Sequence, residues 1–224
     1  MWNFLYSTLG AGSLRPISTE EALEILGFKP PYEGVSFGSF TGNGTLIQWF
    51  SLLNKYFGVH GEARISFKLH GEGKTLGKDS ETALSDLCQG LQTEHKAYIY
   101  HCHNHYMCPI GFEATPVHPM DAYKENDQID ELSHWIIIGE VSKCYPVFHT
   151  KKWEDIYTDI DCALPRFFNI RKSEAGVQMK TGKSFTEGKR LGNNLHCFIE
   201  FERTSPPRVV EGCSNIRVER YTIE

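Results

Sequence analysis

Ala97-Tyr-Ile-Tyr-His-Cys-His-Asn-His-Tyr-Met-Cys-Pro109 sets the reading of everything around it. Ala97 to Cys102 reads as one strand and His105 to Phe112 as a second. If the run is instead one unbroken strand, His101, His103 and His105 share a face. They then stand roughly 6.6–6.8 Å apart per two-residue step. Three imidazoles so placed can bind zinc with a fourth position open to water. If Asn104 marks a turn, the three side chains scatter. No carboxylate or fourth ligand stands nearby in the sequence, so neither metal nor cofactor is expected.

Working outward, the chain turns from helix to strand around this segment. Residues 2–9 read as an amphipathic helix ended by Gly10-Ala11-Gly12, with nothing to cap its start, as if cut. Ser18-Thr-Glu-Glu21 is a capping box for a short helix closed by Gly27. Residues 28–44, rich in Gly, Pro and aromatics, read as a long ordered loop. Thr45 is expected to open a periodic helix with Leu46, Trp49, Phe50, Leu53 and Phe57 on one face. Ala63, Ile65, Phe67 and Leu69 alternate as in a strand, and Ser80 caps a helix with Ala83, Leu84, Leu87, Cys88 and Leu91 inward. Later strands are expected at His134–Gly139, near Pro146–His149 and at Leu195–Glu202, with a helix starting at Trp153. Helices first and antiparallel sheet afterwards is an α+β class.

Composition removes other classes. The chain has 224 residues, 23 basic and 28 acidic, for a net charge of −5, with 40% hydrophobic residues. One globular domain over 1–203 fits, with 204–224 as a tail or extra strand. The longest strong apolar run, Trp135-Ile-Ile-Ile138, is far short of the roughly 20 residues that span a bilayer. Seven cysteines, an odd number, show no CxxC spacing, and the first residues lack a basic leader. A reducing nuclear or cytoplasmic setting is therefore expected, although Asn43-Gly-Thr45 is a sequon. Immunoglobulin spacing fails as well: Cys144, Trp153 and Cys197 or Cys213 are loosely placed, and the corner tyrosine is missing. The expected partner is a protein or peptide, not a membrane. Nucleic acid is disfavoured by the acidic balance, and the seven Lys and Arg between Arg166 and Arg190 are its one candidate surface.

A histidine at the head of an apolar strand, as in His105-Tyr-Met-Cys-Pro-Ile-Gly-Phe112, is how papain-like peptidases present a general base. The base needs a polar partner on the next strand, and Trp135-Ile-Ile-Ile-Gly-Glu140 ends in one. His105 as base and Glu140 as its orienting acid are the candidate catalytic residues. His134, at the head of Trp135-Ile-Ile-Ile138, ranks second because no equally placed acid follows it. No cysteine present fits a papain-like nucleophile, which belongs at the start of the first helix.

Trp2-Asn-Phe-Leu-Tyr-Ser-Thr-Leu-Gly-Ala-Gly12, Ala97-Tyr-Ile-Tyr-His-Cys102, Asn104-His-Tyr106, Cys108-Pro-Ile-Gly-Phe-Glu-Ala-Thr-Pro116 and Gly192-Asn-Asn-Leu-His-Cys197 resemble the basic immunoglobulin-like variable motif-containing proteins. The resemblance runs from residue 2 to about 203. It implies intracellular proteins of nucleus and cytoplasm with no settled biochemical function. It also implies an upstream Ser-Cys-Gly-Ile-Ser-Ser segment leading into the first helix, the form a papain-like nucleophile takes. On that basis the expectation is a papain-like α+β scaffold. Cys–His–acid hydrolysis of peptide or isopeptide bonds would belong to intact relatives, and this chain would lack the thiol. The alternative is a non-catalytic interaction module. A working site would place His105 beside the start of the first helix.

Overall fold

A computed structural model describes residues 1–32, 42–102, 105–124, 131–140, 147–179 and 196–204. The elements in chain order are α1 (Trp2–Tyr6), α2 (Thr19–Ile25), α3 (Asn43–Phe57), β1 (Gly61–Phe67) and α4 (Ser80–Leu91). Then come β2 (Lys96–Cys102), β3 (His105–Pro116), β4 (Leu132–Gly139), β5 (Phe148–Lys152) and α5 (Trp153–Asp161). Two-residue strands β6 (Arg166–Phe167) and β7 (Gln178–Met179) precede β8 (Cys197–Arg203), and 3₁₀ turns occupy Pro119–Tyr123 and Ile170–Ala175.

The class is α+β, and the main sheet runs β1-β8-β2-β3-β4-β5 with every neighbouring pair antiparallel. β8, the last strand among the described residues, slots between the edge strand β1 and β2. The sheet is covered on both faces. Phe67, Leu87, Tyr98, Tyr100, Met107, Ile136, Ile138, Trp153, Ile156 and Phe198 form one core layer, against α4 and α5. Trp2, Leu5, Tyr6, Phe50, Leu53, Ala97, Ile199 and Phe201 form the other, against α1, α2 and α3. Alternation along β2 and β8 assigns successive residues to the two layers. A register shift between Ile65 and Phe67 changes this in β1. Ala63 and Ile65 pack with the α1 layer, but Phe67 joins the α5 layer, so the simple alternation expected for this strand is interrupted.

Several helix starts move. α3 begins at Asn43 with Gly42 as N-cap, two residues before Thr45. Asp79, not Ser80, caps α4, its carboxylate accepting from the Thr82 N–H at 2.8 Å; a carboxylate also answers the positive helix end better than a hydroxyl. Ser18 caps α2 as expected. α1 stops at Tyr6 instead of continuing to residue 9, because Ser7 is extended and its hydroxyl donates to Asn3 O. The helix is well anchored: Trp2 Nε1 donates to Asn54 Oδ1 at 3.1 Å, and Tyr6 Oη to His60 O at 2.7 Å.

After Ser7 the chain folds back on α1 at van der Waals limits. A Cβ at Gly12 would lie 1.9 Å from the Tyr6 carbonyl carbon, and one at Gly10 would lie 2.2 Å from Phe4 O. Both obstacles are backbone, so neither can rotate away. Gly12→Ala is therefore expected to destabilise the domain by about 1–3 kcal/mol, as overpacking does. A thermal melt would show it, and an unchanged midpoint would mean the 8–12 turn relaxes freely.

Candidate functional site

β2 and β3 are joined through residues 103 and 104, with Cys102 opposite His105, His101 opposite Tyr106 and Tyr100 opposite Met107. This pairing answers the histidine question. His101 and His105 sit on adjacent strands at positions of opposite parity, so their side chains leave on opposite faces of the sheet. His105 shares the face of Cys102 and Met107, the α5 layer, whereas His101 stacks on Tyr106 with ring centroids 4.7 Å apart. His103 lies outside the described residues. Among the described residues no group of three or more His, Cys, Asp or Glu is arranged to hold a metal ion.

Glu140 follows directly on β4 and points to the same face as Ile136 and Ile138. Its side chain is 1% exposed, and three positively chargeable groups converge on it. His105 Nε2 lies 2.8 Å from Oε1, His149 Nε2 lies 2.9 Å from Oε2, and Arg171 Nη2 donates to Oε1 at 3.0 Å. The contacts differ in kind. Those of His149 and Arg171 are aligned hydrogen bonds, whereas the His105 contact is short but off the line of a hydrogen bond. Each partner comes from a different element: β3, β5 and the 3₁₀ turn after β6. His149 reaches the site because it pairs with Ile138 across β4–β5. Arg171 reaches it because Ile170 is buried, Lys151 Nζ donates to Ile170 O at 3.0 Å, and Asn169 Oδ1 accepts from the Arg171 N–H. Burial alone would raise the Glu140 carboxyl. The His149 hydrogen bond and the charges of His105 and Arg171 outweigh that and hold it below the ordinary carboxylate range.

A second buried acid lies in the same layer. Asp159 of α5 is fully buried; it accepts from the Tyr100 hydroxyl and contacts His196 Nδ1 at 2.6 Å. Cys102 feels both acids, together with Arg171 and Lys151. Burial, reinforced by Asp159, pushes its thiol well above the usual range. Cys88, Cys108, Cys162 and Cys197 are also raised by burial, Cys197 to about 11. No described thiol is poised as a thiolate.

His105 and Glu140, the sequence-derived pair, are thus brought together. His105 leaves the sheet on the α5 side, whereas α1 packs on the other. The Met1 amino group is within electrostatic reach of Cys108, whose side chain leaves β3 on the face opposite His105. His134 is on β4 opposite Ala114, well along the strand from Glu140. His149 and Arg171 had no place in the sequence-derived site. In the sequence His149 reads only as part of a hairpin, and Arg171 as one of the basic residues of the 166–190 candidate surface. Arg171 turns instead into the Glu140 cluster, and residues 180–190 of that stretch lie outside the described residues. Neither a groove of about 420 Å³ between α1, α2 and α3 nor a cavity of about 380 Å³ under α4 is lined by His105 or Glu140.

The family profile described as "Basic immunoglobulin-like variable motif-containing protein" matches residues 1–208. Proteins of that name are similar to this chain: one from Xenopus laevis is 52% identical over 204 residues, covering 91% of this chain and 40% of the relative. One from Homo sapiens is 50% identical over 203 residues, covering 90% and 39%. A more distant one from Giardia intestinalis is 25% identical over 189 residues, covering 75% and 69%. The chain therefore spans about 40% of the length of the vertebrate relatives it matches. No solved structure matches it. The chain belongs to the basic immunoglobulin-like variable motif-containing protein family.

Proposed function

We propose that this domain is a cysteine-peptidase-like, papain-like scaffold acting in nucleus or cytoplasm on a protein or peptide partner, with His105 as general base and Glu140 as its orienting acid. The observation that carries the reading is the 2.8 Å contact between His105 Nε2 and a buried carboxylate from the neighbouring strand. With Nε2 turned to the acid, Nδ1 is the nitrogen left to take a proton, and the ring is 30% exposed, enough for a reacting group to approach one edge. The hydrolytic thiol would come from outside the described residues, since every described thiol is held protonated. The reaction would be attack of that thiolate on a peptide or isopeptide carbonyl. His105 would carry the proton to the leaving amine, and water would then release the acyl group.

The second reading, a non-catalytic interaction module, is favoured by one observation: α1 and His105 are on opposite faces of the sheet. The two separate by experiment. A full-length vertebrate relative is treated with a cysteine-reactive ubiquitin or peptide acyl probe, beside its His105→Ala equivalent and the 224-residue chain. The hydrolase reading expects the long wild type to label, with labelling abolished in the histidine variant and absent in the short chain. Equal labelling of variant and wild type sinks His105 as base. No labelling of any form favours the interaction module.

A further inference from the structure

We infer that Arg171 is a positioning residue that competes with His105 for Glu140 and so sets how firmly the acid orients the imidazole; this rests on the reading of His105 as general base. Glu140 Oε1 is asked to serve two donors at once: Arg171 Nη2 at 3.0 Å and His105 Nε2 at 2.8 Å. Only the guanidinium is aligned for a hydrogen bond. That outcome follows from the chemistry. A guanidinium is permanently charged, planar and weakly hydrated, so it outbids an imidazole for a shared carboxylate oxygen. His149 meanwhile holds Oε2 at 2.9 Å, which stops the carboxylate from rotating to offer His105 its other oxygen.

Among the described residues, the groups around Glu140 come from several elements. His105 is on β3, His149 and Lys151 are on β5, and Arg171 is on the 170–175 turn, with Cys102 of β2 and Asp159 of α5 behind them. Of these, Arg171 is carried by the segment with the least regular structure: Lys172 has φ −141° and ψ 55° inside the 3₁₀ turn. Among the described residues, the turn that carries it is anchored by the buried Ile170, the Lys151 bond to Ile170 O, and the Asn169 side chain on the Arg171 N–H. A partner or substrate that shifts this turn would hand Oε1 to His105 without altering any residue on the sheet. Arg171 is in this sense a built-in attenuator of the acid–base pair.

The test uses nuclear magnetic resonance of the imidazole nitrogens and protons in the 224-residue chain, comparing wild type, Arg171→Gln, Arg171→Lys and Asn169→Ala. Removing the guanidinium is expected to let Oε1 realign. His105 should then show a single Nε2–H tautomer and a low-field, exchange-protected Nε2 proton that the wild type lacks. Arg171→Lys restores the charge without the fork and should fall between them. Asn169→Ala, which loosens the turn but keeps the guanidinium, should move His105 in the same direction as Arg171→Gln and guards against a variant that fails to fold. An unchanged His105 signature in folded Arg171→Gln overturns the proposal. Probe labelling of the long relative is a separate readout. If the tautomer sharpens and nothing labels, Arg171 positions the pair as inferred but the hydrolase reading fails. If labelling is present and rises in Arg171→Gln, both stand.

Discussion

Asp159→Ala is expected to cost the domain about 3–5 kcal/mol, the scale for removing one member of a buried charged cluster. A carboxylate near the end of α5 faces the negative pole of the helix, an unfavourable place for it. It is tolerated because a group on β2 and one just before β8 are turned toward it. The Tyr100 hydroxyl donates to Oδ2, and His196 Nδ1 contacts the same oxygen at 2.6 Å. Tyr100 is fully buried and its hydroxyl is held well above the usual range by burial and by Asp159, so it remains a donor at every accessible pH. Alanine would remove the acceptor of the Tyr100 hydroxyl in a buried layer, where the desolvation penalty is charged in full. Urea unfolding at neutral pH measures the loss, with Asp159→Asn as the milder variant because its amide oxygen still accepts. A loss under about 1 kcal/mol in the alanine variant, against the several expected here, would mean the layer admits water. Tyr100→Phe combined with Asp159→Ala should cost less than the sum of the two, since they remove the same bond.

Glu140→Ala should cost somewhat less, about 2–3 kcal/mol, because Arg171 and His105 are partly exposed and water can take up some of what they lose. Its distinguishing mark is in the pH dependence. The folded-state carboxyl lies below its ordinary value of 4.5. The sign is therefore that of a depressed acid: the stabilisation is fully present above that ordinary value and disappears as pH falls through the lowered one. The stability difference between wild type and Glu140→Gln should shrink below about pH 4.5. Unfolding curves at a series of pH values from 7 to 3 would reveal this. Parallel curves over the whole range would show that Glu140 is not specifically ionised by its three partners.

Much of the architecture was legible because its signals are local. Alternation in Ala97–Cys102 and in the strand after His134, the capping box at Ser18 and the face of α3 each depend on a few neighbouring residues. The pairing of His105 with Glu140 was legible for a related reason. An acid at the end of one strand and a histidine at the head of the preceding one meet when the two strands pair antiparallel. The convergence of His149 and Arg171 was not. One depends on the β4–β5 register, the other on a 3₁₀ turn held by a side chain from β5, and neither leaves a pattern in its own stretch of sequence. The same holds for the shift at Ile65–Phe67, where a strand changes which layer it feeds.

By itself the sequence determined the α+β class, the places of most helices and strands, the family, and the candidate pair His105 and Glu140, since each follows from short-range periodicity or from strings of residues read directly. Tertiary structure alone decided three other things: that His101 and His105 leave on opposite faces, that β8 divides β1 from β2, and that one buried carboxylate is shared by two imidazoles and a guanidinium. Those depend on register and on contacts between residues far apart in the chain, whose energies arise only once the layers close and water is gone.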